Sequence, residues 1–108
     1  MNRGDVVLVA ARSDYAGKQR PAVVVQSDLF NPTHDSVTLC LVTSELRDAP
    51  LFRPDLKPTR ENGLSKTSQV MVDKIFSAKR GNIGGRIGIL DKESMRRVDE
   101  ALKVWLQT

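Results

Sequence analysis

The chain has 108 residues, of which 40% are hydrophobic and 28% charged, a globular balance that excludes wholesale disorder and supplies one core rather than two. We therefore expect one domain spanning residues 1–108. Lys and Arg number 17 against 13 Asp and Glu, a net charge of +4 that leans toward acidic or polyanionic partners but also simply aids solubility.

The first predicted strand is Asp5 to Ala11, an unbroken run after the turn-forming Gly4 in which four residues are Val or Leu and which reads as buried on both faces. Its apolar stretch from Val6 to Ala11 is the longest in the chain. That is too short for a signal-peptide core or a membrane span, so the reading places the protein in the cytoplasm with no membrane partner. Arg12 to Gln19 is polar, contains Gly17 and reads as a loop. A β-branched run then predicts a strand over Pro21 to Gln26, with Pro21 at its first position. Ser27 to Asp35 holds Asn31, Pro32 and Asp35 and reads as a turn region, with His34 as a solvated loop residue lacking a metal partner set.

Val37 to Thr43 is the third predicted strand and contains Cys40, the only cysteine, so neither an internal disulfide nor a four-cysteine zinc site is possible and a reducing compartment is suited. Glu45 to Ser65 contains Pro50, Pro54 and Pro58 and predicts a long excursion with at most a short edge strand at Leu51 to Arg53. Gln69 to Asp73 reads as a strand that Ile75 to Ala78 continues past a bend, and Arg86 to Ile89 is a last short strand. Gly81, Gly84, Gly85 and Gly88 suit turns and strand bends rather than a phosphate loop, because no long helix opens directly from them. Met95, Val98, Leu102 and Trp105 fall three and four residues apart, which predicts an amphipathic helix over Lys92 to Leu106 capped by Asp91. The fold class is thus mainly β with a C-terminal helix, an α+β arrangement in which a compact antiparallel barrel is closed by that helix.

Gly4-Asp5-Val6-Val7-Leu8-Val9, Lys18-Gln19-Arg20-Pro21 with the valine run behind it, and Val42-Thr43-Ser44 occur in the order and spacing of the MazF/PemK ribonuclease toxins. Val70-Met71-Val72-Asp73-Lys74 and Arg86-Ile87-Gly88 continue the pattern, so the chain resembles that family over nearly its whole length. The resemblance implies a small SH3-like barrel, related to that of CcdB, acting as a homodimer. It implies an endoribonuclease toxin of a toxin-antitoxin system that cleaves single-stranded mRNA at short motifs and inhibits growth. It also implies a cognate acidic antitoxin as partner, promoter DNA bound only together with that antitoxin, and no cofactor or metal. The rival readings are a gyrase-poisoning toxin on a related barrel, and a noncatalytic nucleic-acid-binding barrel.

Each matching position has a chemical rationale beside a plainer one. Arg20 is held extended by Pro21, so its planar donor fork is presented to a phosphate from a stiff base; otherwise it is a solvated arginine. Thr43 and Ser44 end a buried strand, where hydroxyls cap the backbone or face a phosphate oxygen. The resemblance makes Arg20, Thr43 and Asp73 catalytic and Lys18, Ser44 and Phe52 substrate-binding, Phe52 by stacking a splayed base; the plainer readings are a surface ion pair of Asp73 beside Lys74 and, equally, a core contact of Phe52. RNA carries its own nucleophile in the 2′-hydroxyl, so cleavage to a 2′,3′-cyclic phosphate and a 5′-hydroxyl needs an acid, a base and a cation at the phosphate. PemK-type relatives have an arginine two positions before the aspartate and a histidine in the first loop; here Met71 and no loop histidine occupy those places. The base stays open between Asp73 and Lys18.

Overall fold

The described residues of this computed structural model are 1–10 and 18–108. Ala11, the end of the first predicted strand, and the part of the predicted loop from Arg12 to Gly17 lie outside them. Among the described residues the order is β1 (Asp5–Ala10), β2 (Gln19–Val24), β3 (Ser36–Thr43), β4 (Asp55–Leu56), β5 (Ser68–Lys79), β6 (Ile83–Ile89) and α1 (Lys92–Leu106), with a short 3-10 turn at Arg80–Asn82. The strands form one sheet in the order β4-β5-β3-β2-β1-β6. All its pairings are antiparallel, and no helix among the described residues is long and apolar enough to cross a membrane.

The pleat sorts apolar residues onto two faces. Val6 is opposite Val23, Val23 opposite Cys40 and Cys40 opposite Ile75, and this face joins Val42, Val70, Val72 and the buried Val98 and Ala101 of α1 in one cluster. The intervening residues Val7, Val9, Ala22, Val24, Val37 and Leu39 form the second cluster, packed against Phe76 and Ile83. The apolar run of β1 thus buries Val6 on one face and Val7 and Val9 on the other, as its sequence predicts, while Leu8 is half-buried and Ala10 exposed. The sheet curls into a half-barrel with α1 lying against the first cluster.

α1 has the predicted bounds. Asp91 accepts a hydrogen bond from the Ser94 amide at 3.3 Å, and the helix stops where Gln107 takes the left-handed conformation, φ 57, with its N–H on the Lys103 carbonyl. Complete burial of Val98 contributes about 1.5–3 kcal/mol; Met95 and Leu102 complete the inward stripe.

Four strand boundaries depart from the sequence reading. β2 begins at Gln19, so Pro21 lies inside it; pairing with β3 starts only at Ala22, and a proline without an N–H is tolerated where the strand has one neighbour. The short edge strand is at Asp55–Leu56 and not at Leu51 to Arg53, because the Phe52 and Arg53 amides both donate to the Ala49 carbonyl and form a turn instead of a ladder. β5 starts at Ser68 and ends at Lys79, one residue beyond the reading at each end, while continuing past the bend as expected, where its register shifts against β3 between the Val42–Val70 and Cys40–Ile75 pairs. β6 starts at Ile83, ahead of the predicted Arg86. Its glycines have a packing reason at Gly88, where an added Cβ would lie 2.4 Å from the Glu61 carbonyl oxygen, since the 59–63 segment crosses there and Glu61 accepts from the Ile89 amide at 2.8 Å.

Candidate functional site

Three strand ends converge at one edge of the half-barrel. Ala22 of β2 is opposite Leu41 of β3, so Arg20 at the entry of β2 and Thr43 at the exit of β3 lie toward the same end of the sheet and line one cleft. Thr43 is in turn opposite Gln69 at the start of β5. Between them opens a cleft of about 480 Å³ lined by Arg20, Pro21, Val42, Thr43, Ser44, Glu45, Leu64, Ser65, Lys66 and Ser68. Of the residues predicted from sequence, the structure brings together Arg20, Thr43 and Ser44. Glu45, Lys66, Ser65 and Ser68 were missed; the only sequence signal for Glu45 is its place directly after Thr43-Ser44, and Lys66 belongs to a loop that no local pattern folds over the cleft.

Local bonds hold this edge in place. Thr43 Oγ1 accepts from the Glu45 amide at 3.0 Å, which uses a lone pair and leaves the hydroxyl hydrogen available for a ligand oxygen. The buried Gln69 side chain accepts from the Arg47 amide at 3.0 Å and donates to the Arg47 carbonyl at 2.8 Å, while also donating to Asp55 at 2.8 Å. The segment after β3 is thus clamped on both sides of Glu45. Ser68 donates to the Lys66 carbonyl at 2.8 Å, fixing the opposite wall.

The other predicted residues stand elsewhere. Asp73 lies within the β5 register shift, where both its oxygens accept from Arg53, each at 3.0 Å. The Arg53 guanidinium beside it holds the Asp73 carboxyl below the usual aspartate range, against the opposing effect of burial. Phe52, next to that arginine, packs against Trp105 of α1 with ring centroids 5.3 Å apart. Lys18 is exposed two residues before Arg20 and is not among the cleft-lining residues. Cys40 is buried in the first cluster, and burial pushes its thiol up to about 12, which makes it an inert core residue rather than a nucleophile. His34 is exposed in its loop, as predicted.

The arrangement offers two cations, two or more hydroxyls and one carboxylate around an open groove, a set suited to an anionic substrate that needs charge stabilisation and proton transfer. Among the described residues no three His, Cys, Asp or Glu side chains gather as a metal-ligand set.

Residues 2–106 match the family described as PemK-like, MazF-like toxin of type II toxin-antitoxin system. A probable endoribonuclease MazF from Mycolicibacterium smegmatis is 42% identical over 106 residues, covering 98% of this chain and 96% of that protein. The endoribonuclease EndoA of Bacillus subtilis is 26% identical over 109 residues, covering 98% of this chain and 94% of the relative. Among solved structures, an endoribonuclease in complex with its cognate antitoxin from a mycobacterial species superposes with a TM-score of 0.83 at 21% identity, over 99% of this chain and 95% of the other, and so shows the same fold. On the family match and the first of these relatives, the chain belongs to the PemK-like, MazF-like toxins of type II toxin-antitoxin systems.

Proposed function

We propose that the protein is a metal-independent endoribonuclease that cuts single-stranded mRNA in the cleft between β2, β3 and the start of β5. The observation that carries this reading is the meeting of Arg20 and Thr43 at the ends of neighbouring strands in one open cleft, in a chain whose relatives are named endoribonucleases. Arg20 binds the scissile phosphate and stabilises the charge that develops on it; Thr43 donates its hydroxyl hydrogen to a phosphate oxygen; Ser44, Lys66 and, at the approach, Lys18 hold the neighbouring backbone. The 2′-hydroxyl of the RNA is the nucleophile, so the products carry a 2′,3′-cyclic phosphate and a 5′-hydroxyl. This reading does not use Asp73 or Phe52, which Arg53 and Trp105 engage.

The solved relative in complex with its antitoxin supports an antitoxin partner here, and the net charge of +4 favours an acidic one that competes with RNA. A homodimer acting in the cytoplasm, and promoter contact only through the toxin-antitoxin complex, complete the proposal.

The test is incubation of purified protein with defined RNAs in EDTA, with mapping of the new ends. Cleavage is expected to persist in EDTA and to leave 5′-hydroxyl ends, and Arg20→Ala is expected to lower the rate at least about a hundredfold while the fold is retained, as for loss of one oxyanion donor. Ends bearing 5′-phosphate, or binding of RNA without cleavage, would overturn the reading.

A further inference from the structure

The proposed chemistry leaves open which group takes the proton of the 2′-hydroxyl. Arginine is a poor acceptor because its guanidinium stays protonated throughout the working pH range. Asp73 is a poor one for a different reason: both of its oxygens already accept from Arg53, and it does not line the cleft. Lys18 does not line it either.

Glu45 does. It is the one carboxylate among the described residues that line the cleft with Arg20 and Thr43. Its backbone is fixed from both sides, by the bond from its amide to Thr43 Oγ1 at 3.0 Å and by the Gln69 clamp on Arg47, while its side chain is exposed to an incoming ligand. The Thr43 oxygen, by accepting from the Glu45 amide, fixes the start of the Glu45 side chain at the cleft and leaves its own hydrogen available to a ligand oxygen. A general base needs this kind of placement within reach of the proton it takes.

We propose that Glu45 is the general base of the reaction, an assignment that rests on the RNA-cleavage reading above. Glu45 takes the 2′-hydroxyl proton onto a carboxylate oxygen, and the electron pair left on the 2′-oxygen forms the new bond to phosphorus. The bond from phosphorus to the 5′-oxygen breaks with its pair. The departing 5′-oxygen takes a proton from solvent, and Glu45 afterwards returns its own proton to solvent. Arg20 stays cationic throughout.

The experiment compares wild type, Glu45→Gln, Glu45→Asp and Asp73→Asn on an oligoribonucleotide containing the wild-type cleavage sequence. Affinity is measured on the same oligonucleotide with a 2′-deoxy residue at the scissile position, and cleavage is also measured on an analogue with sulfur in place of the departing 5′-oxygen. Glu45→Gln is expected to lower kcat at least about a hundredfold, the usual scale for a general base, with affinity for the deoxy analogue unchanged and with Glu45→Asp retaining part of the rate. The Glu45→Gln loss persists on the sulfur analogue, because a thiolate leaves without an acid but the 2′-hydroxyl still needs a base. Wild-type kcat in Glu45→Gln would overturn the assignment, and so would recovery on the sulfur analogue or a loss that lies wholly in affinity. If the wild type is active and Arg20→Ala inactive in those cases, the ribonuclease reading survives; a wild type that never cleaves RNA overturns both.

Discussion

Two arginines with a carboxylate in the neighbourhood occur on opposite flanks of β3 and β5, and their surroundings give them different work. Arg53 is only 7% exposed and meets Asp73 through two parallel hydrogen bonds, beneath the contact of Phe52 with Trp105. Arg20 is exposed at the mouth of a cleft with Glu45 among its lining residues. A buried bidentate pair spends its charges on each other, so breaking it leaves a desolvated ion and costs stability. Charges around an open cleft remain in contact with water and with any ligand that enters, so changing them alters binding and rate far more than folding. The same residue types thus form a brace on one flank and line a cleft, the proposed site of the chemistry, on the other.

The largest expected effect follows from breaking the brace. Asp73→Ala is expected to destabilise the fold by about 1–3 kcal/mol, the range for leaving a buried donor such as Arg53 unsatisfied, as read from denaturant unfolding. Asp73→Asn retains an acceptor for Arg53 and is expected to lose less stability and keep cleavage. An Asp73→Asn protein that is as stable as wild type but inactive would erase the contrast between the two flanks and return Asp73 to the chemistry.

Acid dependence sharpens the same point. The folded-state acidity of Asp73 is shifted downward, chiefly by its hydrogen bonds from Arg53, so its contribution is fully present above the ordinary aspartate range and is lost as pH falls through the lowered folded value. Stability is therefore expected to drop in strong acid, and Asp73→Asn, which cannot titrate, is expected to show a shallower acid slope. Equal slopes in the two proteins would show that the pair contributes nothing to the acid response.

The smallest effect is expected at the open flank. Lys66→Ala should change stability by no more than about 0.5 kcal/mol, as for an exposed position. It should weaken RNA binding and reduce the salt slope of log affinity by about 0.7, the value for one lost phosphate contact on a single strand. Titration of a noncleavable RNA at several salt concentrations reads this directly, and an unchanged slope would remove Lys66 from the binding wall.

Local pattern carried a large part of the fold. The spacing of Met95, Val98, Leu102 and Trp105 with Asp91 ahead of them specifies α1 to the residue, because a helix is built from contacts within a few positions and its cap is one side chain. The β-branched runs specify β1, β2 and β3 to within two residues of their starts and ends, because strand propensity and burial act together in them. The MazF/PemK resemblance, which runs through the same segments, singled out Arg20, Thr43 and Ser44, and these three line one cleft.

What the sequence could not settle depends on groups far apart in the chain. The true edge strand was decided by which amides the Ala49 carbonyl captured, which leaves no periodic mark. Asp73 read as a strand-end acid beside Lys74, yet its partner is Arg53, 20 residues away. Phe52 read equally as a base-stacking ring or a core contact, and only the folded chain shows its neighbour to be Trp105. Composition and periodicity determined which segments become strands and helix, because those depend on each residue's own neighbours. Only the tertiary structure decided which charges are closed against each other and which line the cleft, because pairing and exposure belong to the curl of the whole sheet.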